Sequence, residues 1–214
     1  MIAAGKFITF EGGEGSGKST QLRLLADSLR AAGREVVTTR EPGGSPGAED
    51  IRALLVQGEV ARWDGLTEAL LHSAARRDHL VRTVWPALSR GAWVLSDRFA
   101  DSTQAYQGYG HGLPLDTIAA LTGIATGGFR PDLTLILDLP AADGLRRANG
   151  RGGAEDRYER MGTAFHERLR QGFLSIARAE PGRCVVIDAS RPIADVQAAV
   201  QAAIHARLTA EPGR

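Results

Sequence analysis

Short apolar runs alternate with longer segments of helical periodicity along most of the chain. The runs cover residues 7–10, 36–39, 93–96, 133–139 and 183–187. Each is bounded by Gly, Pro, Asp or Arg. Leu133-Thr134-Leu135-Ile136-Leu137 is nearly continuous in apolarity, as expected of a strand covered on both faces. Between the runs the pattern predicts helices over 18–32, 46–56, 66–88, 115–125, 141–149, 158–179 and 193–208. Pro192 suits the start of the last one, where a missing N–H costs nothing. This order implies an α/β fold, a parallel five-stranded sheet with helices on both faces and ligands gathered outside the carboxyl ends of its strands. No repeat, low-complexity tract or convincing linker interrupts it. Gly150-Arg151-Gly152-Gly153 is too short to separate domains and reads as a small mobile lid, about 146–158, within one domain over 1–214.

Composition narrows the picture only a little. A formal net charge of +1 argues against a broad nucleic-acid surface. Cys184 is the single cysteine, so an intrachain disulfide and a thiolate metal cluster are both excluded. Its place in Cys184-Val185-Val186-Ile187 suits a buried, inert thiol. No stretch approaches the ~18 apolar residues of a membrane span, and the first residues lack a basic-then-apolar leader pattern. The expectation is a soluble, cytoplasmic protein with neither membrane nor nucleic acid as partner.

Chemistry concentrates at the first predicted turn. Gly12-Gly13-Glu14-Gly15-Ser16-Gly17-Lys18-Ser19-Thr20 fits G-x-x-x-x-G-K-[ST] and lies between the first strand and the first helix. Glycines let backbone N–H groups turn inward on an anion, and the helix points its positive end at the same place. Lys18 would reach the β- and γ-phosphates of a nucleotide, and Ser19 would help hold Mg²⁺. In a parallel sheet the residues after the other strands converge on this loop. They are Arg40, then Asp97 and Arg98, then Asp138. Arginine forks bind a second phosphate, and a carboxylate orients a Mg²⁺-bound water. Each also has a plain alternative: a surface arginine at a strand end, a helix-capping Asp97, a structural Asp138.

The loop, together with Thr39-Arg40-Glu41-Pro42-Gly43-Gly44, Asp97-Arg98-Phe99 and Ser102-Thr103-Gln104-Ala105-Tyr106-Gln107-Gly108, closely resembles the thymidylate kinase family. The similarity continues through Arg130-Pro131-Asp132-Leu133-Thr134 and covers nearly the whole chain in order. It implies a P-loop NTPase fold and phosphorylation of dTMP to dTDP with ATP and Mg²⁺ by a homodimer. Ser19 and Asp97 then serve the metal. Arg40 and Arg98 hold the 5′-phosphate of dTMP, Arg76 reaches a thymine carbonyl, and Thr103 and Gln107 join the acceptor site. Tyr106 sits under the sugar and crowds out a 2′-hydroxyl, or else packs in the core. Glu14 faces the sugar 3′-hydroxyl. His72 occupies a position that is usually aromatic and stacks on the base; it shares a helix face with Arg76, four residues on.

Some family members carry a catalytic arginine inside the first loop. Gly15 and Ser16 stand there in this chain, whereas Arg146, Arg147, Arg151 and Arg157 surround the glycine-rich segment. That resembles members donating the arginine from the lid, with Arg151 first and Arg147, at the ATP, second. The catalytic set is thus Lys18, Asp97, Arg98 and Arg151. No general base is required, because the acceptor phosphate ionises for the second time at about pH 6. A GTPase reading lacks its Asn-Lys-x-Asp motif: the only asparagine is Asn149, followed by Gly150. A kinase of another nucleoside monophosphate would keep the same loop and lid. A non-enzymatic ATP-driven module would not need Arg40, Arg76 and Arg98 to converge.

Overall fold

The five apolar runs form one sheet whose three central strands are almost wholly buried, while the edge strands are partly exposed. In the computed structural model, which describes residues 5–149 and 157–209, the strands are β1 (Phe7–Glu11), β2 (Val36–Arg40), β3 (Trp93–Asp97), β4 (Leu133–Asp138) and β5 (Cys184–Asp188). They lie in the order β2-β3-β1-β4-β5, every pair parallel. Alternate residues feed opposite faces. Ile8, Phe10, Leu133 and Leu135 pack with Leu22, Leu25, Val196 and Val200 on one side. On the other, Ile136 meets Phe165, Leu169 and Phe173, and Phe7 and Val94 meet Leu80 and Val84.

The helices that supply those side chains follow the sequence pattern with three departures. α1 (Lys18–Ala31) and α2 (Pro46–Val56), with a proline in its first turn, form as expected. The helix expected over 66–88 is divided. α3 (Gly65–His79) begins at Asp64, which accepts the Thr67 N–H, and passes through a π turn at Leu80–Val84 into α4 (Trp85–Ser89). Pro86 is the physical reason: it has no N–H and crowds the preceding turn, so the backbone widens and the Trp85 N–H bonds to Leu80 O.

A helix that the pattern did not indicate, α5 (Ala100–Thr103), runs into a π turn at Gln104–Gly110. It was hidden because the residues it buries include Asp101, Ser102, Thr103 and Gln107 as well as apolar ones. α6 (Leu115–Thr126) closes on Gly127 at φ 61, and α7 (Ala141–Asn149) forms as expected. α8 (Thr163–Ala179) starts later than residue 158, because Arg157 is fully buried and its guanidinium binds the carbonyls of Leu55, Glu59 and Val60. α9 (Ile193–Ile204) ends in a π turn at His205–Thr209. Residues 150–156, with Arg151 and the lid glycines, and the tail at 210–214 lie outside the described residues. No described helix is long and apolar enough to cross a membrane.

One polar seam crosses the otherwise apolar face. Arg183 donates from both terminal nitrogens to Asp101 at 2.7 Å, and to Thr134 Oγ1 and Glu180, so it ties β4 and the start of β5 to α5. A buried pair loses far more when one partner is removed than when both are. Arg183→Met should lower the unfolding free energy by ~3 kcal/mol in urea denaturation. Asp101→Leu/Arg183→Met should recover most of that loss; a double variant as unstable as the single one would show that the pairing is not the cause.

Candidate active site

Three glycines shape the loop after β1. Gly12, Gly15 and Gly17 have φ of 133, 68 and 91, values that side chains rarely tolerate. A Cβ on Gly12 would lie 2.5 Å from Leu137 O, and one on Gly15 would lie 2.1 Å from Gly144 O, so β4 and α7 close tightly on the loop. Lys18 is buried and curls over it, donating to Gly13 O at 2.8 Å, Gly12 O at 3.2 Å and Ser16 Oγ at 3.4 Å. Burial and the Arg98 charge bring its ammonium down to about 8. Ser16 bonds back to Gly13 O. Gly13, Glu14, Ser19 and Thr20 complete the loop and the first turn of α1.

Register brings the other strand ends to the same edge. Arg40 is level with Asp97, and Asp97 with Phe10. Arg40, half exposed, donates to Glu49 and lines a cavity of about 300 Å³ with Lys18, Ser19, Asp97 and Arg98. Ser19 Oγ donates to Asp97 Oδ2 at 2.6 Å. This hydroxyl and carboxylate are an oxygen donor set of the kind a hard divalent cation takes, beside an anion-binding loop. Asp138 has the structural role: Arg170 of α8 grips both its oxygens at 2.7 and 2.9 Å.

Arg98 joins this cavity to a second one. Its φ of 73 is the one left-handed non-glycine backbone among the described residues. Its N–H bonds to Phe10 O, continuing the strand ladder, and its guanidinium reaches Gly12 O, Ser102 Oγ and Glu14. Glu14 also accepts from the Tyr106 hydroxyl at 2.6 Å. Burial pushes the Glu14 carboxyl up, but Arg98 and Lys18 overcome it and hold it at about 2. Beneath them Glu11 is fully buried, accepting from the Phe99 N–H and the Ser102 hydroxyl. Burial, then the charge on Asp101, pushes Glu11 up to about 8.

The second cavity, of about 130 Å³, is lined by Arg98, Glu14 and Tyr106, which touch one another, and by His72, Arg76 and Gln107. Arg76 is almost wholly buried. Its Nε goes to Glu41 at 2.8 Å, and one terminal nitrogen goes to Phe99 O and Thr103 Oγ1, both at 3.0 Å. The other, NH1, has no partner among the described residues, and neither does Oε1 of the fully buried Gln107. Thr103, expected at a pyrimidine edge, therefore acts here on the arginine. His79 holds the far oxygen of Glu41, following a cis peptide between Glu41 and Pro42. His72 Nε2 lies 3.1 Å from the Tyr158 hydroxyl. Burial and the Arg76 charge bring its imidazole down to about 4, so it is neutral at physiological pH.

Of the lid arginines read from the sequence, Arg146 pairs with Asp143 on the exposed side of α7 and Arg147 donates to Ala189 O. Arg157 is anchored in the interior rather than on a lid, and Arg151 lies outside the described residues. The sequence did not single out Arg52, which lines both cavities and donates to Pro42 O, nor Ser102 or Tyr158. Arg52 lies mid-helix in α2 and carries no local signal; only the tertiary approach of α2 to the loop after β2 brings it to the site.

A family model described as thymidylate kinase matches residues 10–200. A thymidylate kinase of Caulobacter vibrioides is 62% identical, over 97% of this chain and 99% of its own. One of Gluconobacter oxydans is 51% identical, over 99% of each chain. A crystal structure of thymidylate kinase from Ehrlichia chaffeensis superposes with a TM-score of 0.75 at 36% identity, covering 94% of this chain and 99% of that one.

The neutral His72 gives stability a pH signature. An unfolded imidazole takes its proton near 6.5 and the folded one only near 4, so this contribution is complete above pH 6.5 and is lost as pH falls toward 4. His72→Phe should flatten the dependence of the urea midpoint on pH across that window; an unchanged slope would assign the titration to another group.

Proposed function

The chain belongs to the thymidylate kinase family, and from that membership we propose how its residues carry the reaction. It phosphorylates dTMP to dTDP with ATP as the phosphoryl donor. The observation that carries the residue assignment is a pair of buried atoms without partners on two residues that line the second cavity, a donor nitrogen of Arg76 and the carbonyl oxygen of Gln107. A 4-oxo pyrimidine offers the complement, a carbonyl oxygen next to an N3–H. Cytosine offers an amine and a bare N3, which would set donor against donor and acceptor against acceptor.

With the base at that end, the monophosphate comes to Arg98, which borders both cavities, and to Arg40 across the crevice. His72 lies against the base and Tyr106 beside the sugar. Glu14 orients both Arg98 and Tyr106 and stays ionised at any working pH, so its duty is positional rather than acid–base. ATP phosphates occupy the loop of Gly12 to Thr20, with Lys18 turning from the loop carbonyls to the β- and γ-phosphates and Arg147 at the rim. Ser19 and Asp97 would hold Mg²⁺, which when bound neutralises donor phosphate charge. The residues themselves align two repelling anions in line and leave the acceptor dianion to attack without a base.

Gly15 supports a lid donor for the remaining positive charge. Its φ of 68 and the backbone of Gly144, 2.1 Å from where a Cβ would stand, leave no room for an arginine at position 15. Arg151 is the proposed donor, with Arg147 next to it in order. A homodimer through α3 and α6 is proposed as well. These helices pack together and leave Leu66, Leu70 and Ile124 exposed at 46%, 50% and 78%.

Incubation with ATP, Mg²⁺ and a panel of monophosphates tests the reading. dTMP should be phosphorylated far ahead of dUMP, UMP, CMP and AMP, and ADP release without acceptor would overturn it. Arg98→Ala should raise KM for dTMP much more than KM for ATP, whereas equal changes would contradict its position. Arg151→Ala should lower kcat on the order of 10³-fold with nucleotide affinities nearly intact; an unchanged kcat would move the donor elsewhere.

A further inference from the structure

Glu68 does not line the acceptor cavity, yet it is the most heavily used buried carboxylate behind it. It stands on α3 with no solvent exposure. Its Oε1 takes the Arg157 guanidinium. Its Oε2 takes the Gln107 amide nitrogen at 3.0 Å and the Tyr158 hydroxyl at 3.3 Å, with His111 Nε2 at 3.5 Å. Burial pushes its carboxyl up, but the hydrogen bonds from His111, Arg157 and Gln107 prevail and hold it at about 2. The group is therefore an acceptor only, at every pH at which the enzyme works.

A glutamine amide has two ends of nearly equal shape and opposite chemistry. With nothing to choose between them, Gln107 could present either its carbonyl or its NH₂ to a base, and the site would read both 4-oxo and 4-amino pyrimidines. An ionised carboxylate behind it admits only the NH₂ end. We infer that Glu68 is a positioning residue that sets base selectivity, by binding the Gln107 NH₂ and so leaving the amide oxygen as the end offered to the base. The inference rests on the proposed placement of dTMP and deepens it. Arg76 is fixed on the same principle, since Glu41, Phe99 O and Thr103 consume its other nitrogens and leave one free.

The test is the ratio of kcat/KM for dTMP to that for dCMP, measured alongside KM for ATP and the thermal midpoint. Wild-type enzyme should favour dTMP strongly; absence of that preference would refute the placement of the base itself. In Glu68→Gln the new amide can donate as well as accept, which frees Gln107 to turn over. The ratio should fall by about tenfold or more, chiefly through KM for dTMP, with KM for ATP unchanged. Arg157→Met removes the ion pair but keeps the bond to Gln107, so it should lower the thermal midpoint and preserve the ratio. Should Glu68→Gln fail to fold, Glu68→Gln/Arg157→Met removes the stranded cation and carries the same measurement. A wild-type ratio in the folded single or double variant, or an equal fall in Arg157→Met, overturns the role of Glu68 while leaving the dTMP site standing.

Discussion

The site depends on keeping one arginine in a conformation it would not choose. A non-glycine residue in the left-handed region costs roughly 1–3 kcal/mol, and such strain persists only where the surroundings over-determine it. Here they do. The Arg98 N–H is claimed by Phe10 O, the next amide by Glu11, and the side chain by Gly12 O, Ser102 and Glu14. Every one of these partners comes from the end of β1, the loop after it or the helix after β3. The strained turn thus welds the donor loop to the acceptor pocket. Relaxing it would release the guanidinium from the boundary between the two cavities.

The same logic of committed hydrogen bonds runs through the acceptor pocket. Its polar side chains are nearly saturated by one another, which is costly to arrange in a low-dielectric interior but leaves few groups able to rotate. Glu41 illustrates it. Burial alone would favour its neutral form, but Arg76 and His79 hold the carboxyl below the ordinary range, and the charge in turn fixes Arg76. In the proposed site, recognition falls to what the network leaves over, Arg76 NH1 and Gln107 Oε1. Preorganisation of this kind spares the ordering cost that a flexible pocket would meet on binding.

Much of this was legible in the residues. Strands buried on both faces announce themselves by continuous apolarity, and their ends placed Arg40, Asp97 and Arg98 beside Lys18. Asp138 could not be read, because its partner Arg170 is 32 residues away on another element. The helix at Ala100–Thr103 escaped for a related reason: its buried face is largely polar, satisfied by Glu11 and Arg183 rather than by apolar packing. Arg157 resembled a solvated lid arginine in sequence and is an interior anchor in space, joined to Glu68 across 89 positions. Periodicity reports which face is apolar. It does not report which charges are paired across the fold.

Gly15 and Gly144 face one another so closely that each forbids a side chain on the other's account. A Cβ at Gly15 would strike Gly144 O at 2.1 Å, and one at Gly144 would strike Glu14 O at 2.3 Å. The obstruction is backbone on both sides, so no rotamer change relieves it. A side chain at position 15 therefore has to wait for α7 to shift, whereas Gly13 in the same loop has open space around it.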